Sequence, residues 1–278
     1  MQHDKRIYLR LNHIPSSTAI YLMQSLPKNT NPTPRRGGKW PLITAWLSVF
    51  LLVAAALLMV AAGPAYKAEW IALGTSFTWL RQGAQLALAA ALLGLITLVI
   101  GAICRRWRPA LAGVLVSAAV VALIAVPMQM KQRAQSVPPI HDITTDTENP
   151  PAFIALAAIR EKAPNEVDYP GEETARQQKA AYPQLKPITL NMPLANAMNA
   201  AKAIILARGW EIAATTNNTI EATATTRWFG FKDDVVIRMA EADQGVKIDM
   251  RSASRVGKSD IGTNAERIQL FLEDLKNQ

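Results

Sequence analysis

Cysteine is almost missing from this sequence: Cys104 stands alone among 278 residues. An intrachain disulfide is therefore impossible, and so is any C-x-x-C metal or redox pair. The lone thiol closes an apolar run, where a small buried side chain is the ordinary reading. Histidine is scarce too. His3 and His13 fall in a polar N-terminal flank, which leaves His141 as the imidazole of the C-terminal half. A Ser-His-Asp triad would have to use it, yet Asp142 is too near in sequence to orient it. No G-x-S-x-G elbow presents a serine either.

Excess charge is missing from the C-terminal half. Residues 1–39 hold seven Lys/Arg against one Asp, whereas from Lys131 onward 18 basic residues meet 19 acidic ones. The formal net charge of +9 thus belongs to the N-terminal half. A nucleic-acid binder carries its excess on the folded domain that grips phosphates, so nucleic acid is not expected as a partner.

Charge is wholly absent from three stretches: Pro41–Ala62, with 22 residues, and Ala84–Cys104 and Ala110–Met130, with 21 each. Each is long enough to cross a hydrocarbon core of about 30 Å. Buried helices of a soluble bundle would show a polar stripe. Trp40, Trp70, Trp79 and Trp107 lie at or just beyond the run ends, where amphipathic rings favour the membrane interface. Three transmembrane helices within residues 40–130 are the reading. No ionisable residue lies inside a run, which argues against an ion or proton pathway. Gly94, Gly101, Gly113, Ser117 and Ala118 offer small faces for close helix contact.

The flank 1–39 (ending LPKNTNPTPRRGGK) is expected to be disordered, and Met23 is an alternative start. Its basic residues and the Arg105–Arg108 loop place both on the cytoplasmic side, with a nearly neutral loop between Gly63 and Gly83 outside. The C-terminal domain then faces outward, into the periplasm of a bacterial inner membrane. Residues 131–139 read as a linker ending in a Pro pair.

From Ile140 to Gln278 the pattern changes to that of an α+β domain. Glu172–Ala181 is a short helical candidate in a stretch that wraps the surface, anchored by Tyr169, Tyr182 and Leu185. A strand at Ile188 is followed by a helix with apolar residues at Leu194, Ala197, Met198, Ala201, Ile204 and Ile205, stopped by Gly209. Four strands follow, with Asn217–Asn218 and Gly245 as turns. In them Ile220, Ala222 and Ala224, then Val235, Ile237 and Met239, then Val246, Ile248 and Met250 alternate with polar residues. A last helix carries Ile268, Leu272 and Leu275. The order β-α-β-β-β-β-α implies an antiparallel sheet with helices on one face, an arrangement that allows a helix-grip-like curvature.

Four groups of residues could carry chemistry. His141, Asp142, Asp146 and Glu148 form a metal-like cluster, although their Thr/Asp setting is also what turns and caps require. Trp228, Phe229 and Phe231 flank Gly230 at a strand turn, either filling the end of the core or meeting a ligand, lipid or protein. Asp233 and Asp234 are consecutive on a strand, so they face opposite ways and cannot act as an acid–base pair. Arg251, Arg255, Ser259 and Asp260 lead into a helix N-terminus that could hold an anion, unless Asp260 itself caps the helix. Arg251, Arg255, Ser259, Asp260 and the aromatic turn are expected to form one partner-facing surface. The competing account is structural, with the aromatics buried, the arginines paired with Asp233, Asp234 and Asp249, and Asp260 capping the helix.

The motifs IHDITTDTENPPAF, IEATATTRWFGFKDDVVIR and RSASRVGKSDIGTNAERI, with the YP pairs between them, resemble a family catalogued as domain of unknown function fourteen ninety-nine, over about residues 140–275. The resemblance implies a bacterial envelope or thylakoid-lumen protein, often with preceding spans, and supports the outward placement. It implies no reaction, cofactor or catalytic residue. The function expected is non-enzymatic: three spans tether a module that binds a lipid, small ligand or envelope protein, and no cofactor is expected. The alternative is a metal-dependent or hydrolytic enzyme centred on His141, Asp142 and Asp146.

Overall fold

The computed structural model describes residues 36–278. The expected disorder of the flank up to residue 35, and the choice between Met1 and Met23, lie outside the described residues.

Three helices open the described chain: α1 at Trp40–Lys67, α2 at Leu73–Ile103 and α3 at Trp107–Ser136. All three are long and apolar enough to cross a membrane. Their packing is inside-out relative to a soluble bundle. Ala45, Ala55, Ala62, Ala87 and Ala90 are buried between helices, while Trp46, Phe50, Leu57, Leu92 and Val121 point away from the bundle. Lipid gives large side chains no reason to hide, so close approach of small residues holds such helices together. The expected small faces are used: a Cβ on Gly94 would lie 3.1 Å from the Gly113 carbonyl oxygen, and one on Gly101 2.8 Å from the Ala110 nitrogen.

Two boundaries differ from expectation. The expected loop between Gly63 and Gly83 is mostly helix, because α1 runs on through Pro64 to Lys67 and α2 begins at Leu73. The expected linker 131–139 is helical as far as Ser136. KQRAQS lacks helix breakers, and Lys, Gln, Arg and Ala all propagate a helix. Arg133 also anchors this end, donating from Nε to the Ile261 carbonyl at 2.9 Å and pairing with Glu266.

The C-terminal domain is a six-stranded antiparallel sheet with two long helices on one face. The strands are β1 (Asp142–Thr144), β2 (Ile188–Leu190), β3 (Glu211–Thr215), β4 (Thr219–Thr225), β5 (Lys232–Ala242) and β6 (Gly245–Ser254). β3 to β6 form a meander, and β1 and β2 share the outer edge of β6, at opposite ends. The helices are α4 (Ala157–Arg160), α5 (Glu172–Ala181), α6 (Leu194–Ala207) and α7 (Thr263–Lys276). α6 and α7 cover the alternating apolar positions, burying Ile220, Val235, Ile237, Met239, Ile248 and Met250 against Ile205, Ile268 and Phe271. Gly209 and Gly245 stop α6 and turn β5 into β6 with φ of 70° and 113°, a region that favours glycine. β1 escaped the sequence reading because three residues are too short to show a period.

The central part of the opposite face is shut off from water. Residues 149–170, with the single turn of α4, lie across it and bury Phe153 and Leu156 on Val236 and Ala253. Beneath this roof Glu221, Thr223, Asp234, Asp249 and Arg251 are all buried. Polar alternation here marks a second interior rather than a solvated surface.

Candidate functional site

Under the roof, polar groups are matched almost atom for atom. The Arg251 guanidinium donates to both Asp142 oxygens, at 3.0 and 2.7 Å, and to the carbonyls of Pro151 and Val167. Arg160 donates to Asp234 and to the carbonyls of Ala253 and Glu166. Arg255 grips the same Asp234 with two bonds of 2.8 Å. Phe153 lies between Arg160 and Arg251, with each guanidinium carbon 4.7 Å from its ring centre. Glu221 caps the roof itself, accepting from the amides of Ile154, Ala155 and Leu156 at 2.9–3.0 Å. Bidentate, desolvated pairs of this kind hold a structure in one register, and removing either partner strands a charge.

This arrangement corrects part of the expected surface. Arg251 is buried and pairs with Asp142 across the β1–β6 rungs, so it faces no partner. Arg255 does reach the same end of the sheet as the aromatic turn, with its amide bonded to the Lys232 carbonyl, but its guanidinium is turned under to Asp234. Asp233 and Asp234 face opposite ways as expected, the first taken by Arg267 at 2.6 Å.

The metal-like cluster is not assembled either. Asp142 is committed to Arg251, and burial pushes its carboxyl up against the pull of that guanidinium. Asp146 accepts from the amides of Glu148 and Asn149. Burial would raise its carboxyl, but those amides, with Lys247 and Arg238, hold it below the usual range. Glu148 pairs with Lys179. Among the described residues no three His, Cys, Asp or Glu side chains converge as a metal site. His141 Nδ1 is buried without a hydrogen-bond partner.

At the start of α7 the capping alternative prevails. Asp260 accepts from the amides of Gly262 at 2.9 Å and Asn264 at 2.6 Å, and Ser259 Oγ accepts from Ile261. The amides an anion would use are occupied. Burial raises the Asp260 carboxyl, with the amide bonds of Asn264 and Gly262 opposing.

The aromatic turn is what remains open to a role outside the domain. Thr226 closes it, exchanging backbone bonds with Phe231 and Gly230 and accepting the Phe231 amide on its hydroxyl at 2.9 Å. Phe229 and Phe231 stack with centroids 4.9 Å apart, and Trp228 meets Phe229 edge-on. The turn does not fill the end of the sheet core. It sits on the ends of α1 and α2, against Tyr66 and Phe77. Trp228 Nε1 donates to the Val60 carbonyl at 3.2 Å. In an unbroken helix that carbonyl would receive the amide of residue 64, but residue 64 is proline and has none. The indole thus supplies the donor that Pro64 withholds.

Two glycines make the fit reciprocal. A Cβ on Gly63 would lie 2.8 Å from the Trp228 ring, so the helix is open where the turn enters. A Cβ on Gly230 would lie 2.7 Å from Lys67 Cγ, so the turn is open where the helix enters, and its φ of 70° independently favours glycine. Lys67 Nζ adds a bond to the Arg227 carbonyl at 3.3 Å. Beside this contact opens a cleft of about 380 Å³, lined by residues from the end of α1, the α1–α2 turn and the aromatic turn. Gly63, Pro64, Tyr66 and Lys67 escaped the sequence reading. Pro64 was the available signal, since a proline within a helix frees one carbonyl.

Compared with known proteins, residues 142–275 match the model of a family described as a protein of unknown function (DUF1499). No curated protein and no solved structure matches the chain.

Proposed function

We propose that this chain, whose residues 142–275 match the DUF1499 family model, is an integral protein of a bacterial inner membrane with its N-terminus in the cytoplasm. Its three spans hold a non-enzymatic α+β module on the periplasmic face, where the aromatic turn and its cleft receive an amphiphile of the envelope. The observation carrying this reading is the seat of Trp228 on the Pro64-freed carbonyl. It ties the module to the helix ends, the level at which headgroups and acyl chains meet. Arg105 and Arg106 lie between α2 and α3 and Arg108 in the first turn of α3, at the other end of the bundle, and their charge supports a cytoplasmic side there.

Amphiphile binding suits the composition of the junction. Tyr66, Trp70 and Phe229 line the cleft with rings, and Lys67 and Lys232 stand beside them. A site with an apolar wall and a few polar groups is the usual build for a small ligand. Two measurements test the reading. Reporter fusions should show a cytoplasm-only reporter active after Arg108 and a periplasm-only reporter active after Gln278; the reverse pattern sinks the placement. Lipid co-purifying with the full-length protein should fall in a Trp228→Ala, Phe229→Ala double variant. Equal lipid in parent and variant sinks the amphiphile.

A further inference from the structure

The geometry points to the occupant of the junction cleft: the phosphodiester of a phospholipid in the membrane leaflet on the domain's side, held by Lys67 and Lys232. This rests on the reading of the junction as an amphiphile site and names the chemistry of that site. Lys67 and Lys232 both line the cleft and are exposed, and among the described residues neither forms an ion pair. The contrast with Arg160, Arg251 and Arg255, all tied to carboxylates nearby, is marked. Lys67 spends one proton on the Arg227 carbonyl and keeps two, and the Lys232 ammonium has three. Glu69 shares the cleft. Two ammonium groups and one carboxylate leave one positive charge, the complement of a phosphodiester monoanion.

The lipid, rather than a free ion, follows from what surrounds the charges. Tyr66, Trp70 and Phe229 line the same cleft, and Trp70 is almost wholly exposed beside it. Rings of this kind settle at the headgroup level. From the Trp228 contact, the exposed Val60 and Leu57 run down α1, and exposed Phe77 on α2 leans on Phe229. They offer an apolar track for acyl chains directly below the cleft. Glu69 also adopts a left-handed backbone with φ of 60°, which costs a non-glycine residue some energy and is retained where surrounding structure holds it.

The test is native mass spectrometry of the full-length protein in detergent, titrated with dioleoyl-phosphatidylglycerol, with dioleoylglycerol and with inorganic phosphate. Phosphatidylglycerol should bind at one equivalent and far more tightly than dioleoylglycerol, which shares its chains and lacks the phosphate. A basic residue near an anionic headgroup is worth about a factor of five, so Lys67→Gln with Lys232→Gln should weaken phosphatidylglycerol roughly 30-fold. Lys67→Arg with Lys232→Arg should restore most of it. Both lysines are exposed, so an unchanged melting curve is expected in each variant and separates lost binding from lost fold. If the two dioleoyl lipids bind equally, or the Gln variant keeps full affinity, the phosphodiester assignment falls while the amphiphile site stands. If inorganic phosphate binds as tightly as phosphatidylglycerol, the cleft is a free-anion site and the lipid assignment falls. If no lipid binds the parent protein, both readings fall together.

Discussion

On the α6/α7 side of the sheet, Ile220, Ile237, Met239 and Ile248 are fully buried and meet other apolar groups. On the other side Glu221, Asp234 and Arg251 are removed from water just as completely, beneath residues 149–170. The first side loses only water ordered around hydrocarbon, and its stabilisation grows with area. The second must replace the hydrogen bonds that water supplied, and it does so for most of its groups with pairs fixed in direction: Arg251 on Asp142, and Arg160 and Arg255 on Asp234, leaving Arg160 Nε and Asp249 Oδ1 without a hydrogen bond. An apolar face is forgiving, because a smaller side chain loses contacts in proportion to its size. An ionic face is brittle, because a missing partner leaves a charge in a medium that cannot solvate it.

The sharpest way to break that comparison is Asp234→Ala, which removes the carboxylate partner of Arg160 and two of the three side-chain bonds of Arg255 at once. Loss of one partner from a buried pair costs about 3–5 kcal/mol, read as a large drop in the unfolding midpoint of the full-length protein in nanodiscs. A drop no larger than that of a surface substitution would show that water reaches under the roof. The matching change on the apolar side, Ile237→Val, removes one methylene and should cost about 0.5–1.5 kcal/mol by the same measurement. If it equals Asp234→Ala, the two faces are not different in kind.

A smaller effect sharpens the comparison through pH. Asp260 is a half-buried carboxylate at the start of α7 whose side chain bonds amides of its own turn, and its removal from water raises it above the ordinary 3.8. A group raised by folding favours the folded state fully below its unfolded value. That contribution is lost as pH rises through the raised folded value. Subtracting the melting curve of Asp260→Asn from that of the parent, pH by pH, should isolate this loss over the window just above 3.8. A difference that is flat, or that grows with pH, contradicts the assigned direction. The smallest effect belongs to Trp228→Ala. Its ring contacts belong to neither face, so the domain's unfolding should move by no more than about 0.5 kcal/mol. Hydrogen exchange near Gly63 and Pro64 should rise instead. A melting loss as large as that of Ile237→Val would make the ring part of the core.

Much of the architecture was legible in the sequence because it rests on local patterns. Runs free of charge for more than twenty residues have one stable environment, and Gly209 and Gly245 mark stops that L-residues resist. The alternation in β4, β5 and β6 placed Ile220, Val235 and Ile248 on one face correctly. Arg251, expected on a surface because it leads towards a helix N-terminus, is buried instead, since a polar residue on a strand looks the same whether it meets water or a roof. Lys131–Ser136 was misplaced for a related reason: hydropathy marks where a helix leaves the membrane, not where it ends.

The sequence by itself therefore determined the three spans, the strand periods and the opposed facing of Asp233 and Asp234, all consequences of repeats a few residues long. Tertiary structure decided the rest. Arg251 found Asp142 across 109 positions of chain, and Trp228 found the Val60 carbonyl across 168. No local period encodes such partners. They are chosen by which buried groups would otherwise go unsatisfied once sheet, roof and helices close on one another.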